Sequence, residues 1–166
     1  MKRSSLTTNI MSIVWWIIIS IVSSFLCIGC PGSPSAPKAE QEAAKKFVPE
    51  PGKAIIYIYR DTMVAAIQMF RIYLDGGLVG DSKNQAFFRQ VVTPGPHQIS
   101  VSNLRGTHRD SLSISTEAGK IYYIELEIGP NPVSGIPKLK IADETGAQST
   151  IRRCALLQSG TSAMSR

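Results

Sequence analysis

Residues 53–142 are broken by a turn signal roughly every 8–12 residues, and that spacing fits short strands. The runs between the breaks predict strands at 53–60, 67–75, 78–80, 86–93, 97–105, 110–117, 120–128 and 137–142. Alternation is clearest in 120–128, where Tyr122, Ile124, Leu126 and Ile128 share one face and Glu125 and Glu127 take the other. In 110–117, Ser111, Ser113 and Ser115 oppose Leu112 and Ile114. The first run, Lys53-Ala54-Ile55-Ile56-Tyr57-Ile58-Tyr59-Arg60, is apolar on both faces, which places it centrally in a sheet. Asp75-Gly76 is a two-residue hairpin signal, and Pro94-Gly95-Pro96 and Ala118-Gly119 mark further reversals. The expected fold is all-β, an antiparallel β-sandwich of about seven to eight short strands. Ile151, Cys154 and Leu157 recur at helical spacing, so a short amphipathic helix is expected within 143–158, ahead of a frayed tail.

The N-terminus sets the address. Lys2 and Arg3 precede residues 10–29, which carry no charge. About twenty apolar-rich residues match the roughly 30 Å of a bilayer core, and basic residues on one side orient the run for export. Gly29-Cys30 then meets Pro31-Gly32-Ser33-Pro34, which looks like a bacterial lipobox with Cys30 as the lipidated residue, although Cys27 stands where that pattern prefers Leu. Two forms stay open. In one, residues 1–29 are a signal peptide removed before Cys30; in the other, they persist as a single transmembrane anchor. Either form puts the protein in the bacterial cell envelope, membrane-anchored, with its domain outside the cytoplasm on the periplasmic side.

Residues 30–52 are rich in Pro, Ser, Ala, Lys and Glu and read as a flexible tether, with at most a short helix at 39–46. The organisation expected is therefore 1–29 signal or anchor, 30–52 lipidated cysteine and tether, 53–145 β-sandwich, and 146–166 short helix and disordered tail. Of the three cysteines only Cys154 remains beyond the lipobox, so no intramolecular disulfide is expected. Removal of Lys2 and Arg3 would leave 16 basic against 12 acidic residues, a mild excess compatible with anionic lipid or polymer.

The run from Lys46-Phe47-Val48-Pro49-Glu50-Pro51-Gly52 through Arg60 resembles the opening of a bacterial lipoprotein family catalogued as domain of unknown function 2846. The likeness continues through Ile72-Tyr73-Leu74-Asp75-Gly76, Pro94-Gly95-Pro96-His97 and Glu117-Ala118-Gly119-Lys120-Ile121-Tyr122-Tyr123-Ile124. The Leu-Asp-Gly and Pro-Gly-x-His spacing is also similar to small surface β-domains named for a Pro-Glu-Gly-Ala motif. The resemblance implies a lipoprotein with a small β-domain, and it supplies no catalytic residue.

Catalytic patterns are absent from the sequence: no nucleophile elbow, zincin motif, P-loop or dinucleotide fingerprint occurs. His108-Arg109-Asp110 spells a kinase tripeptide without the phosphate-covering loop or the downstream Asn, so it is read as coincidence. His97 and His108 are the only histidines and give no metal-ligand spacing; no metal and no cofactor are expected. Glu125 and Glu127 read as a solvated outer face. The doublets Phe87-Phe88 and Tyr122-Tyr123 put one ring on each face of a strand, which leaves one ring of each outward. With adjacent arginines, the candidate partner-binding residues are Tyr59, Arg60, Phe88 and Arg89. The expected role is a non-catalytic binding module for an envelope protein or polymer, with no nucleic acid partner. The alternative is a structural accessory subunit of a membrane assembly. None of these features sets an oligomeric state.

Overall fold

A strand that is apolar on both faces needs a layer on each side. The computed structural model supplies both, and it describes residues 33–62, 66–107, 109–129 and 135–160. Nine strands and two helices lie among them. The strands are β1 (Ala54–Arg60), β2 (Phe70–Leu74), β3 (Gly77–Ser82), β4 (Ala86–Val92), β5 (Gly95–Asn103), β6 (Arg109–Thr116), β7 (Ile121–Ile128), β8 (Pro137–Ile141) and β9 (Ala155–Leu156). The helices are α1 (Lys38–Ala44) and α2 (Glu144–Arg153). One sheet has the order β8-β7-β1-β4-β9 and the other β3-β2-β5-β6, so the fold is the expected β-sandwich.

Every pairing of the four-stranded sheet is antiparallel. In the five-stranded sheet, β1 runs parallel to β7 and β4 parallel to β9. These two parallel pairings are reached by long connections, which a pattern of local hairpin signals does not reveal. Asp75 and Gly76 both take positive φ, 50° and 80°, as a tight two-residue hairpin requires.

The interlayer core joins Ile56, Ile58, Phe88, Ile124 and Leu126 of one sheet to Phe70, Ile72, Ile99 and Val101 of the other. A second core covers the far face of the five-stranded sheet, where Ala36, Ala44, Phe47, Ala147, Ile151, Cys154 and Leu156 pack on Ile55, Tyr57, Tyr59, Phe87 and Tyr123. Ile55, Ile56 and Tyr57 are each 0% exposed, so successive residues of β1 are buried on opposite faces.

That second core corrects the expected tether. Ser35 bridges Leu157, the Ala36 amide donates to Leu156, and the Tyr57 hydroxyl donates to the Ala44 carbonyl at 2.6 Å. A seven-residue helix is too short to persist alone, so α1 is held by this docking. Composition missed it because two alanines and one phenylalanine suffice to seat the segment. At the other end, Asp143 caps α2 by accepting from the Gly146 amide, and Arg152 and Arg153 sit in its last turn. The chain becomes extended after Arg153, so Leu157 enters the interlayer core while Ile151 and Cys154 stay in the outer one. Ser159 and Gly160, expected in the tail, are placed, and Ser159 Oγ accepts from Gln90 at 2.6 Å.

Candidate functional site

Cys30 and the charge-free run 10–29 lie outside the described residues, among which no helix is long and apolar enough to cross a membrane. Three of the four candidate partner-binding residues are not on the surface: Tyr59 is 4% exposed, Arg60 1% and Phe88 1%. The doublet argument assumed one solvated face, whereas both faces of the five-stranded sheet are covered. Phe88 points into the interlayer core and Phe87 into the outer one. Arg60 lies over the Phe70 ring at 5.1 Å and donates from Nη1 to the Gln68 carbonyl at 2.6 Å. Burial lowers its pKa to about 10. Burial also raises the Tyr59 phenol, and Glu125 beside it adds to the effect.

Arg89 alone keeps an outlet to solvent. It pairs with Glu50 at 2.7 Å, and burial of the guanidinium is more than offset by its bonds to Glu50 and Tyr57, so its pKa is raised. It lines an open cleft of about 850 Å³ between the N-terminal segment and the end of the chain, with Glu40, Glu50, Leu156 and Ser159 around it. Arg89, the one cation among the described residues that line the cleft, is already committed to Glu50. Glu125 and Glu127 are both held by Lys140, which makes them an outer-face ion-pair cluster.

Geometry singles out a different surface. Among the described residues no helix packs on the outer face of the four-stranded sheet. Strand alternation sends Phe70 and Ile72 inward and Arg71 and Tyr73 outward on β2. On β6 it sends Ile114 inward and Arg109 and Ser111 outward. The register aligns Asp81, Arg71, Ser102 and Arg109 in one cross-strand row, and Leu78, Tyr73, Ser100 and Ser111 in the next. Serines floor the middle because β5 presents Ser100 and Ser102 there. The result is an open cleft of about 730 Å³ on the sheet face, with Arg71, Tyr73, Arg105 and Arg109 at its margins.

Residues 103–107 beside it are tied together by their own hydrogen bonds. Thr107 N donates to Asn103 Oδ1 and Asn103 Nδ2 to Thr107 Oγ1, both at 2.8 Å, while the Gly106 amide donates to the Asn103 carbonyl at 2.9 Å. Arg109 Nε donates to the Gly106 carbonyl at 2.9 Å. Arg71 pairs with Asp81 at 3.5 Å. Asp110 has the inward parity and accepts from the Leu139 amide of β8, which ties the edges of the two sheets together. Sequence reasoning marked the serine alternation of 110–117 but attached no function to it. Arg71 and Arg105 went unmarked, and Arg109 was noticed only within a coincidental tripeptide, because nothing local says which sheet face stays open.

These features define a small β-sandwich domain with one covered and one open outer face. The chain belongs to the family described as protein of unknown function (DUF2846), whose profile matches residues 50–136. That match takes in both sheets through β7, and with them the whole open-face cleft. The chain is also similar to an uncharacterized protein of Haemophilus influenzae (strain ATCC 51907 / DSM 11121 / KW20 / Rd), 33% identical over 102 residues. The aligned stretch covers 61% of this chain, and the chain spans 60% of the length of that relative.

Proposed function

We propose that the protein is a lipid-tethered, non-catalytic binding module of the bacterial cell envelope, held by Cys30 with its domain on the periplasmic side. One observation carries the binding role: a sandwich that covers the outer face of one sheet with two helices leaves the other open, concave and rimmed with arginines. Such a surface presents side chains to a partner and needs no nucleophile. The order basic residues, uncharged run, Gly29-Cys30 and then Pro31 supports the anchor. On this reading only Pro31 and Gly32 separate the lipid from Ser33, whose hydroxyl accepts from the Asp81 amide at 3.0 Å. That is a short connection in sequence in place of the 22-residue tether that composition suggests.

The test is co-sedimentation of the detergent-solubilised full chain with isolated envelope material. Ser111→Trp fills the cleft from an exposed strand position that tolerates aromatics. It should abolish co-sedimentation, while Lys38→Gln on α1 should leave it unchanged. Equal co-sedimentation of wild type and Ser111→Trp would remove the open face from the account.

A further inference from the structure

We propose that the open face of the four-stranded sheet takes a carboxylate-bearing glycan strand. The inference rests on the binding-module reading and adds the chemistry of the ligand. Arg71 and Arg109 flank Ser102 in one row, and with strands about 4.8 Å apart their Cα atoms lie roughly 10 Å from one another. Arg105 adds a third guanidinium from the β5–β6 loop. Among the described residues no carboxylate pairs with Arg105 or Arg109, and Arg71 has only Asp81, at 3.5 Å. Asp110 also borders the cleft, with Oδ2 held by the Leu139 amide, so the face sets three arginines against Asp81 and Asp110. The Gly106 carbonyl fixes the plane of Arg109, and a planar guanidinium grips a carboxylate with two parallel bonds.

The floor argues for a sugar chain over an acidic peptide. β5 is paired on both sides, with β2 and with β6, so its backbone groups are committed and an extended peptide cannot add to it as a strand. Recognition must come from side chains. Ser100 and Ser111 each offer a hydroxyl that donates once and accepts twice, the same repertoire as the hydroxyls of a sugar, while Ser102 between the arginines is 7% exposed. Tyr73, half-buried beside Ser100, offers an apolar ring with a polar tip.

Calorimetric titration of the detergent-solubilised full chain tests this, with oligogalacturonate, a neutral maltooligosaccharide and poly-glutamate as probes. Oligogalacturonate should bind with a Kd below about 1 mM and weaken as salt rises. Arg105→Gln and Arg109→Gln should each weaken it about tenfold, and Lys38→Gln should not change it. Arg109 also holds the Gly106 carbonyl, so Arg105→Gln, on an exposed loop residue, keeps the test independent of loop geometry. No binding of oligogalacturonate, equal binding of the neutral chain, or indifference to Arg105→Gln would overturn the proposal. Tighter binding of poly-glutamate would overturn the glycan and leave the binding module standing. Failure of the binding module itself would instead show as envelope co-sedimentation indifferent to Ser111→Trp.

Discussion

Both ring nitrogens of His97 face acceptors: Nδ1 meets Asp75 Oδ2 at 2.6 Å and Nε2 meets the Thr93 carbonyl at 2.7 Å. A carbonyl and a carboxylate can only accept, so the imidazolium, with a proton on each nitrogen, satisfies both. Desolvation pulls the His97 pKa down, but Thr93 and Asp75 outweigh it and the net shift is up from 6.5. Desolvation likewise pushes Asp75 up, and the Gln98 amide with His97 outweighs it, so the net shift is down from 3.8. The pair's contribution is therefore full between those two ordinary values. It is lost as pH rises through the raised His97 value, and again as pH falls through the lowered Asp75 value. Thermal melts of the wild type should show stability falling as pH rises past 6.5, and His97→Gln should flatten that fall. An unchanged slope in the variant would show that His97 does not carry it. Gly80 makes a different kind of constraint. A Cβ there would stand 2.4 Å from Ser33 Oγ and 2.9 Å from the Phe88 ring. Gly80→Ala should displace Ser33 from the Asp81 amide and cost about 1–3 kcal/mol in chemical denaturation.

At the scale of elements, the helical layer is part of the domain. Phe47, at φ 52°, contacts Tyr57 at 5.3 Å between ring centroids and Tyr123 at 6.2 Å, with Arg152 over its own face at 5.1 Å. A buried ring holding a bulky residue at positive φ is fixed by packing and not by local preference. Phe47→Ala should cost about 3 kcal/mol of unfolding free energy by denaturant titration. By the same logic a fragment limited to 53–145 leaves Tyr57, Phe87 and Tyr123 without their cover. It should melt well below a 33–160 fragment or aggregate, and equal melting temperatures would contradict the role given to the helical layer. The strands were legible in the sequence because alternation in 120–128 and 110–117 and the turn at Asp75-Gly76 are local signals. The docking of Ala36, Ala44 and Phe47 was not, because three apolar residues among Pro, Lys and Glu do not make a periodic pattern. The same blindness moved the candidate site. Tyr59 and Phe88 are well-spaced aromatics on strands whose two faces are both covered. The arginines of the open face lie on β2, β6 and the β5–β6 loop, and only long-range packing decides that this side stays open.

At the scale of the molecule, the layers of the described residues run helices, five-stranded sheet, four-stranded sheet, then an outer face on which no described helix packs. Ser35 and Ala36 are seated against Leu156 and Leu157, and the proposed lipid site comes just ahead of Ser33 in sequence. Cys30→Ser should leave a larger precursor that takes up no labelled palmitate, and an inhibitor of the lipoprotein signal peptidase should make the same precursor accumulate. A membrane-bound wild type that keeps residues 1–29 and incorporates no lipid would establish the transmembrane form instead. The central claim is that the open face meets an envelope polymer in the living cell. A photoreactive phenylalanine analogue at position 73 of the full chain tests it most directly, with position 48, exposed on the helical side, as the control. The account predicts a crosslinked species from position 73 that glycan-degrading digestion collapses and that Arg105→Gln removes. Crosslinks from position 48 and none from position 73 would contradict it.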